Sequence, residues 1–576
     1  MLEGAMVDKV RVAAVQFSVT DDEAENLTTC LRMIDQAAAH EPMLMVLPEF
    51  VNRACLVRDF DKGYAQAISL DGPFLESISG KAIEHQCHIV INCTVRRANN
   101  TVSDTNILIG PDGKQLATSD KQVLIGAENE YIAKGTELCP IIQTSIGRIG
   151  MLSCMDGVLP ETARGVALRG AQIICNTLNS FALDESTLHI PVRASENKVF
   201  VVAANKVGPL LPPEVTRDVA QTFGRNPSDF DGAGESQIVA PDGTILARAP
   251  FDEEGVAVAD IDIALADKKI RPDGTDIYAA RRPEIYGPIA VRSSTTSRSS
   301  ALNKIEVAVY QTDKNAEDPI QEAVQSITDA AAQGIHLVVL PELFYLLEGI
   351  TDDPIEAVKA GDCATKVLQE GLLGTETYAV TTVVADGHNG SYQHCAVLVG
   401  ADGVVLRQRQ MHPCARHPWA TDLGDEIVTA DMFWGRLALV AGGDVIFPEA
   451  YRLATLKDAH VVASPTALLE RWEVETGLIE RAAENRIAVV AATRPNNTCT
   501  SVIAASTIEF SSFDKPFRRF LNYPEVTVAD VEPGLTKAVV YPIAASNRSM
   551  SPNTNVLENR PISLLGPMLR SNKEKQ

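Results

Sequence analysis

Three polar residues in the first half of the chain each follow a short apolar run or a turn, where a side chain can be held for chemistry. Glu49 follows the apolar run in MLMVLPEF, Lys121 lies after a Pro-Asp-Gly turn in TSDKQVL, and Cys154 follows the apolar segment IGMLS. A cysteine acts as a nucleophile when a base removes its proton and a cation or N–H group stabilises the oxyanion. The combination predicts nucleophilic acyl chemistry. The residues alone equally allow a buried apolar cysteine, a loop carboxylate and a surface cation.

The elements that must position these residues alternate along the chain. A helix is predicted to open at Pro160, because proline near the start and Glu161 in the first turn are typical of helix N-termini. Its dipole would favour a thiolate on the preceding Cys154. Another helix is predicted over 26–39, with Leu27, Leu31, Ile34 and Ala38 on one face. Strands of five to eight apolar residues between such helices predict an α/β fold.

The motifs of the first half recur in the second half in the same order. The clearest pairs are Val10–Gln16 with Ile305–Gln311, Met43–Phe50 with His336–Leu343, Cys154–Arg164 with Gly442–Arg452, and Arg193–Asn205 with Arg481–Thr493. Two homologous halves are therefore predicted. The Ser/Thr-rich stretch RSSTTSRSS lies between them and is typical of a linker. We expect a first domain over 1–290, a linker over 291–303 and a second domain over 304–576.

Composition limits the class of protein. The 576 residues carry a net charge of −24, which disfavours nucleic acid and anionic membranes as partners. No apolar run reaches the ~18 residues that span a bilayer, and the segment MLEGAMVDKV does not resemble a secretory signal. The 11 cysteines include no C-x-x-C pair, which favours free thiols. A cytoplasmic location is expected.

Taken together, these motifs resemble the nitrilase superfamily of carbon–nitrogen hydrolases. The resemblance rests on LPEF, DGKQLATSDK, GMLSCMDGVLPETAR, HIPVRASENKVFVVAANKVG, GESQIVAPDGTILA and RRPEIY. It implies an α/β fold of two tandem α-β-β-α sandwich domains that form a pseudo-dimer within the chain. It also implies catalysis without a metal or organic cofactor, and it leaves room for a homo-oligomer of such chains.

The resemblance also assigns roles to residues. Cys154 resembles the nucleophile, Glu49 the general base and acid, and Lys121 the oxyanion stabiliser, helped by the backbone N–H of Met155. A second family glutamate orients the lysine and the substrate. In the segment GAENEYIAKG, Glu128 fits its spacing better than Glu130, and both stay open.

The residues after the predicted nucleophile limit the class of substrate that is expected. Family members that cleave nitriles usually carry Cys-Trp-Glu, whereas this chain has Cys-Met-Asp, as in the amidase and carbamoylase branches. Gly157 and Val158 replace the arginines that hold a substrate carboxylate in some carbamoylases, so a roomier, neutral pocket edge is expected. The segment Pro209–Asp231 is expected to be a loop that forms a lid or a pocket wall, or else a surface insertion.

The expected function is therefore an amidohydrolase that cleaves a small-molecule amide, a carboxamide, to a carboxylic acid and ammonia through a cysteine thioester. The alternatives are a nitrilase or an N-carbamoyl amide hydrolase, and a non-catalytic binding or scaffold protein.

The second half lacks part of the set of catalytic residues that the resemblance assigns to the first half. Glu342 is present, but Gly442 stands at the position of the cysteine, and Gln410 or Met411 at that of the lysine. Cys414 lies in a different segment. The second domain is therefore predicted to be a degenerate, catalytically inactive copy.

Overall fold

The structure of the protein is a computed structural model that describes residues 9–54, 60–292, 300–313, 316–508, 519–551 and 553–571. These residues divide into two compact units, each drawn from separate segments of chain. The first unit holds 9–268, 519–522 and 549–568, and the second holds 269–508, 523–548 and 569–571, within the described ranges. Each unit thus combines the body of one half with short segments of the other. Most of the predicted linker, 293–299, lies outside the described residues.

The first half of the chain alternates strands and helices as its sequence predicts. Its strands are β1 (Val10–Gln16), β2 (Leu44–Val46), β3 (His88–Arg96), β4 (Val102–Ile109), β5 (Gln115–Asp120), β6 (Ile142–Thr144), β7 (Gly147–Ser153), β8 (Ile173–Thr177), β9 (Phe200–Ala204), β10 (Val207–Pro209), β11 (Asp231–Ala233), β12 (Gln237–Val239), β13 (Ile245–Arg248) and β14 (Gly255–Ile261). Its α-helices are α1 (Glu23–Ala38), α2 (Phe60–Gln66), α3 (Pro73–His85), α4 (Glu128–Tyr131), α5 (Met155–Val158), α6 (Pro160–Leu168), α7 (Ile190–Asn197) and α8 (Pro213–Phe223).

Two six-stranded sheets form the centre of the first unit, in the orders β14-β1-β2-β3-β4-β5 and β13-β12-β9-β8-β7-β6. Strands β1, β2 and β3 run parallel, as do β7, β8 and β9. Because successive side chains of a strand point to opposite faces, Val12 and Ala14 of β1 enter the core between the sheets, while Ala13 and Val15 pack beneath α1 and α3. Helices α6 and α7 cover the other sheet. The predicted α-β-β-α sandwich is confirmed.

Local signals explain most helix bounds. Helix α6 begins at Pro160 as predicted. Helix α1 begins earlier than predicted, because Asp22 accepts the N–H groups of Ala24 and Glu25 as an N-cap. Its fully buried residues are Asn26, Cys30, Met33, Ile34 and Ala37. Of the predicted stripe, Leu27, Leu31 and Ala38 are partly buried against the same apolar cluster.

The segment Pro209–Asp231 differs from its prediction as a loop. It contains helix α8, which begins next to Pro212 and ends at Gly224 in the left-handed conformation with φ 63°. Phe223 and Phe230 pack against each other and Phe230 against Phe181, with ring centroids 6.3 and 6.1 Å apart. The helix forms because these aromatic residues give it an apolar side to bury, which the proline and aspartate content conceals.

The second half repeats this architecture. Its strands are β15 (Ile305–Gln311), β16 (Leu337–Val339), β17 (Tyr378–Asp386), β18 (Tyr392–Gly400), β19 (Gly403–Arg409), β20 (Thr429–Met432), β21 (Gly435–Leu439), β22 (Val461–Pro465), β23 (Ala488–Ala492), β24 (Val502–Ala505), β25 (Glu525–Val528), β26 (Gly534–Val540), β27 (Ser549–Ser551) and β28 (Thr554–Asn555). Its α-helices are α9 (Pro319–Ala332), α10 (Pro354–Leu372), α11 (Pro448–Leu456), α12 (Leu478–Asn485) and α13 (Gly566–Leu569).

The second unit also has two six-stranded sheets, in the orders β19-β18-β17-β16-β15-β26 and β20-β21-β22-β23-β24-β25. One apolar cluster fills the space between them, and another lies beneath α9 and α10. Both halves are therefore copies of one sandwich. Within the described ranges, no helix is both long and apolar enough to cross a membrane, and the ten cysteines found there are all free thiols.

Candidate active site

Glu49, Lys121 and Cys154 each lie just beyond a strand of the first unit, and backbone bonds fix all three. The N–H of Glu49 donates to the carbonyl of Leu178 at 3.1 Å, and that of Lys121 to the carbonyl of Asp104 at 2.9 Å. The N–H of Cys154 donates to the carbonyl of Thr177 at 2.8 Å. These side chains are therefore held by the sheets rather than by free loops.

Cys154 occupies a strained backbone position between β7 and α5. Its φ of 44° lies in the left-handed region that residues other than glycine rarely adopt. Such strain, which costs about 1–3 kcal/mol, is typical of functional sites.

A buried ion cluster surrounds the ammonium group of Lys121. Its Nζ lies 2.8 Å from Oε1 of Glu49, 2.9 Å from Oε1 of Glu128 and 3.5 Å from Oδ2 of Asp104. All four side chains are buried. Glu49 Oε2 accepts no hydrogen bond from the part of the chain that the structure describes.

One ammonium cannot neutralise three buried carboxylates, and this imbalance shifts the ionisation of the two glutamates. Burial raises the pKa of Glu49 well above its usual range, opposed by the Lys121 cation and reinforced by Asp104 and Glu128. Burial likewise raises the pKa of Glu128. Although burial disfavours the Lys121 cation, the same carboxylates raise its pKa well above the ordinary value. The raised pKa gives Glu49 a higher proton affinity than an ordinary carboxylate, which suits a group that takes and returns a proton.

The thiol of Cys154 is neutral in this environment. Burial raises its pKa well above the usual value, and the Glu49 charge adds to the effect while Lys121 opposes it. Burial therefore opposes the thiolate that the helix dipole is predicted to favour. Glu185 lies next to this thiol, with Oε1 3.9 Å from Sγ, and sequence reasoning missed it.

Asp156 links the turn that carries Cys154 to the end of strand β5, where Lys121 lies. Its carboxylate accepts the N–H of Gln122 at 3.0 Å and that of Val123 at 2.8 Å, from the two residues that follow Lys121. Burial raises the pKa of Asp156 to about 7, against the Lys121 cation and these N–H groups, which favour the ionised form. The aspartate two residues after Cys154 thus fixes Lys121 relative to Cys154.

The structure distinguishes the two candidate second glutamates. Glu128 is buried against Lys121, whereas Glu130 is exposed. Glu128 Oε2 also accepts the N–H of Ile125 at 3.0 Å. The neighbouring Gly126 donates its N–H to Oγ1 of Thr554 at 2.9 Å, from the 549–568 segment of the same unit. A segment far along the chain thereby supports the loop that carries Glu128.

The other residues that the sequence analysis assigned to the site follow Cys154 directly along the chain. Met155, the first residue of α5, is buried, as are Gly157 and Val158. A Cβ on Gly157 would lie 2.9 Å from Nδ2 of Asn176. Asn176 thus packs directly against Gly157, and the roomier pocket edge stays a prediction.

The second unit lacks the nucleophile and the cation. The N–H of Gln410 donates to the carbonyl of His394 at 2.7 Å, as that of Lys121 does to Asp104, so Gln410 rather than Met411 corresponds to the lysine. Gly442 has φ 51°, close to that of Cys154. Glu342 contacts Arg416 and His417 instead of a lysine.

Two groups of side chains in the described residues have a geometry that can hold a metal ion: the buried Glu342, His394 and His417, and the more exposed Asp35, Glu84 and His85. Neither group belongs to the Lys121 cluster.

Comparison with known proteins gives relatives that each match about half of the chain. A nitrilase from Pyrococcus abyssi is 27% identical over 289 residues, which cover 48% of this chain and 99% of the relative. An N-carbamoylputrescine amidase from Solanum tuberosum is 28% identical over 293 residues, 48% of this chain and 93% of the relative.

Two solved structures are similar to part of the chain. The NitFhit protein of C. elegans has 23% identity and a TM-score of 0.42, covering 49% of this chain and 66% of that chain. A mutant amidase from Nesterenkonia AN1 has 22% identity and a TM-score of 0.38, covering 45% of this chain and 94% of that chain.

The sequence model of the carbon-nitrogen hydrolase family matches the chain twice, over residues 11–271 and 306–533. Together these stretches exceed half of the chain, and each contains most of the strands of one sandwich. The protein is therefore a member of the carbon-nitrogen hydrolase family, the nitrilase superfamily, with two copies of the family domain in tandem.

Proposed function

We propose that the first half of the chain is an amidohydrolase that converts a small carboxamide to a carboxylic acid and ammonia through a thioester on Cys154. The observation that carries the proposal is the buried contact of Lys121 with Glu49 and Glu128, in the same unit as a strained cysteine whose thiol is neutral. A neutral thiol needs a base, and Glu49 has an oxygen, Oε2, that no described residue occupies with a hydrogen bond.

In the proposed reaction, Glu49 takes the thiol proton as Cys154 sulfur attacks the amide carbon. The charge that develops on the carbonyl oxygen meets the Lys121 ammonium and the N–H of Met155, and one such donor is typically worth about 10²–10³ in rate. Glu49 then gives its proton to the departing ammonia. Water, deprotonated by the same carboxylate, cleaves the thioester and releases the acid.

The Cys-Met-Asp sequence favours an amide over a nitrile, on the resemblance to the amidase and carbamoylase branches. Nitrile and N-carbamoyl substrates are the competing classes, and relatives of both names occur among the comparisons. The second half is proposed to be catalytically inactive, because Gly442 and Gln410 supply neither a thiol nor a cation.

The test is ammonia release by the full chain across a panel of small amides, nitriles and N-carbamoyl compounds, with Cys154→Ala as the blank. We expect Cys154-dependent release from carboxamides above all. Faster release from nitriles or carbamoyl compounds would reassign the substrate class, and no Cys154-dependent turnover of any class would favour a binding or scaffold protein.

A further inference from the structure

The degenerate centre of the second unit has acquired histidines where the first unit has carboxylates. His394 takes the position of Asp104, because its carbonyl accepts the N–H of Gln410 at 2.7 Å, the bond that Asp104 makes with Lys121 at 2.9 Å. His417 follows Gln410 by seven residues, as Glu128 follows Lys121.

These two histidines converge on the glutamate that the second half retains. Nε2 of His417 contacts Oε1 of Glu342, and Nε2 of His394 lies 4.0 Å from the same oxygen. One ligand atom from each of the three residues lies within 4.8 Å of the others. The residues are only 1–2% exposed.

The hydrogen bonds fix which nitrogen of His394 carries its proton. Nε2 of the Gln410 amide donates to the carbonyl of His412 at 2.7 Å, so Oε1 of that amide faces His394. This oxygen lies 2.8 Å from Nδ1 of His394, which must therefore be the protonated nitrogen. Nε2 is left with a bare lone pair, and no hydrogen bond from any described residue reaches it.

A bare nitrogen lone pair thus faces a buried carboxylate, whose Oε1 the guanidinium of Arg416 contacts from another side chain. Oε2 of Glu342 also has no donor in the described part of the chain. Two imidazoles and one carboxylate form a ligand set that zinc and related divalent ions bind.

We propose that Glu342, His394 and His417 bind one divalent transition-metal ion, with Zn²⁺ the best match to the ligand set. This inference does not rest on the proposed function of the first unit.

Arg416 is the competing cation at this site. Its Nη2 contacts Oε1 of Glu342, and its Nε lies 3.9 Å from Oδ2 of Asp273. A bound metal would take over the neutralisation of Glu342, and the guanidinium would turn towards Asp273. Metal and Arg416 therefore compete for the same carboxylate.

The loss of the nucleophile is linked to the gain of this site. A Cβ on Gly442 would lie 2.6 Å from Cε1 of His394 and 2.9 Å from Oε1 of Gln410. Since real Cβ atoms do not approach so closely, His394 can occupy its place only because residue 442 is glycine.

The test uses the untagged full chain, dialysed against a chelator and then titrated with Zn²⁺ and, separately, Co²⁺. We expect one tightly bound ion per chain by elemental analysis, and visible absorption from Co²⁺ bound to nitrogen ligands. The variants His394→Asn and His417→Asn should each weaken Zn²⁺ binding by about 100-fold or more. Arg416→Gln should strengthen it, because the competing cation is removed.

His85→Asn is the matched control, since it removes the histidine of the other candidate group and should leave the affinity unchanged. Two results would overturn the proposal: a wild-type chain that binds no ion after chelator treatment, or an ion whose affinity survives His394→Asn and His417→Asn. The Co²⁺ spectrum of the wild-type chain keeps the test decisive even if a variant fails to fold.

Discussion

The carboxylate of Asp156 accepts the backbone N–H of Gln122 at 3.0 Å, and this bond ties the residue after Lys121 to the turn after Cys154. Asp444 makes the corresponding bonds in the second unit, to the N–H groups of Met411 and His412 at 2.8 and 2.9 Å. The two halves thus share one positioning device, although only one of them keeps the nucleophile.

The first prediction compares Asp156 with Asp444, its counterpart in the second unit. Asp156→Asn turns one accepting oxygen into a donor that faces N–H groups, so Lys121 should shift relative to Cys154. We expect kcat to fall about tenfold or more, since small misplacements of catalytic groups are costly. Asp444→Asn is the matched control: it should lower Tm by a similar amount and leave kcat near the wild-type value. Equal kcat losses in both variants would show that the effect is general destabilisation.

The second prediction separates the two neighbouring glutamates. Glu128→Gln removes a buried carboxylate 2.9 Å from Lys121 Nζ, so the ammonium loses a partner that fixes its position. We expect kcat/KM to fall by about 10²-fold. Glu130→Gln, two residues along and exposed, should leave kcat/KM unchanged. A larger loss of kcat/KM in Glu130→Gln than in Glu128→Gln would show that Glu130, and not Glu128, positions the lysine.

The third prediction concerns the pH dependence of the thiol. The negative charge of Glu185 raises the pKa of Cys154, behind the larger effects of burial and Glu49. Removing that charge in Glu185→Gln should lower the thiol pKa, so the alkylation rate of Cys154 should rise at a lower pH than in the wild type. Rates measured by mass spectrometry of the Cys154 peptide check this, with Glu130→Gln as the control. An unchanged or upward-shifted profile would mean that Glu185 does not act on the thiol.

The fourth prediction tests the support that the 549–568 segment gives to the Glu128 loop. Thr554→Val keeps the side-chain shape but leaves the N–H of Gly126 without its acceptor. The expected loss of stability is about 1–3 kcal/mol, together with a lower kcat/KM. Thr554→Ser restores the hydroxyl and should recover most of both. If valine and serine behave alike, the hydroxyl contact has no role in positioning the loop.

Much of the site can be predicted from sequence, because short motifs at strand ends carry it. Glu49, Lys121 and Cys154 each follow a recognisable apolar run or turn, and the structure holds all three at the ends of strands of the first unit. Glu128 and Glu130 could not be separated, because they differ by burial rather than by residue type. Burial also raises the pKa of the Cys154 thiol, an effect that depends on the packed structure and not on the local sequence.

What sequence reasoning missed depends on contacts between distant residues. Glu185 reaches Cys154 from a separate turn, and Thr554 joins the first unit from the far end of the chain. His394 could have been found, since the repeat aligns it with Asp104, but the importance of Asp104 is visible only beside Lys121. Helix α8 was missed because its apolar contacts with Phe230 and Phe181 come from outside its own sequence.

The central claim, that covalent catalysis takes place on Cys154, is tested most directly by ammonia release from Cys154→Ala beside Cys414→Ala in the same assay. With the nucleophile removed, we predict less than about 1% of wild-type turnover in a folded protein, whereas Cys414→Ala should retain nearly full activity. Turnover of more than a few per cent by Cys154→Ala, in a preparation free of contaminating hydrolase, would contradict the claim.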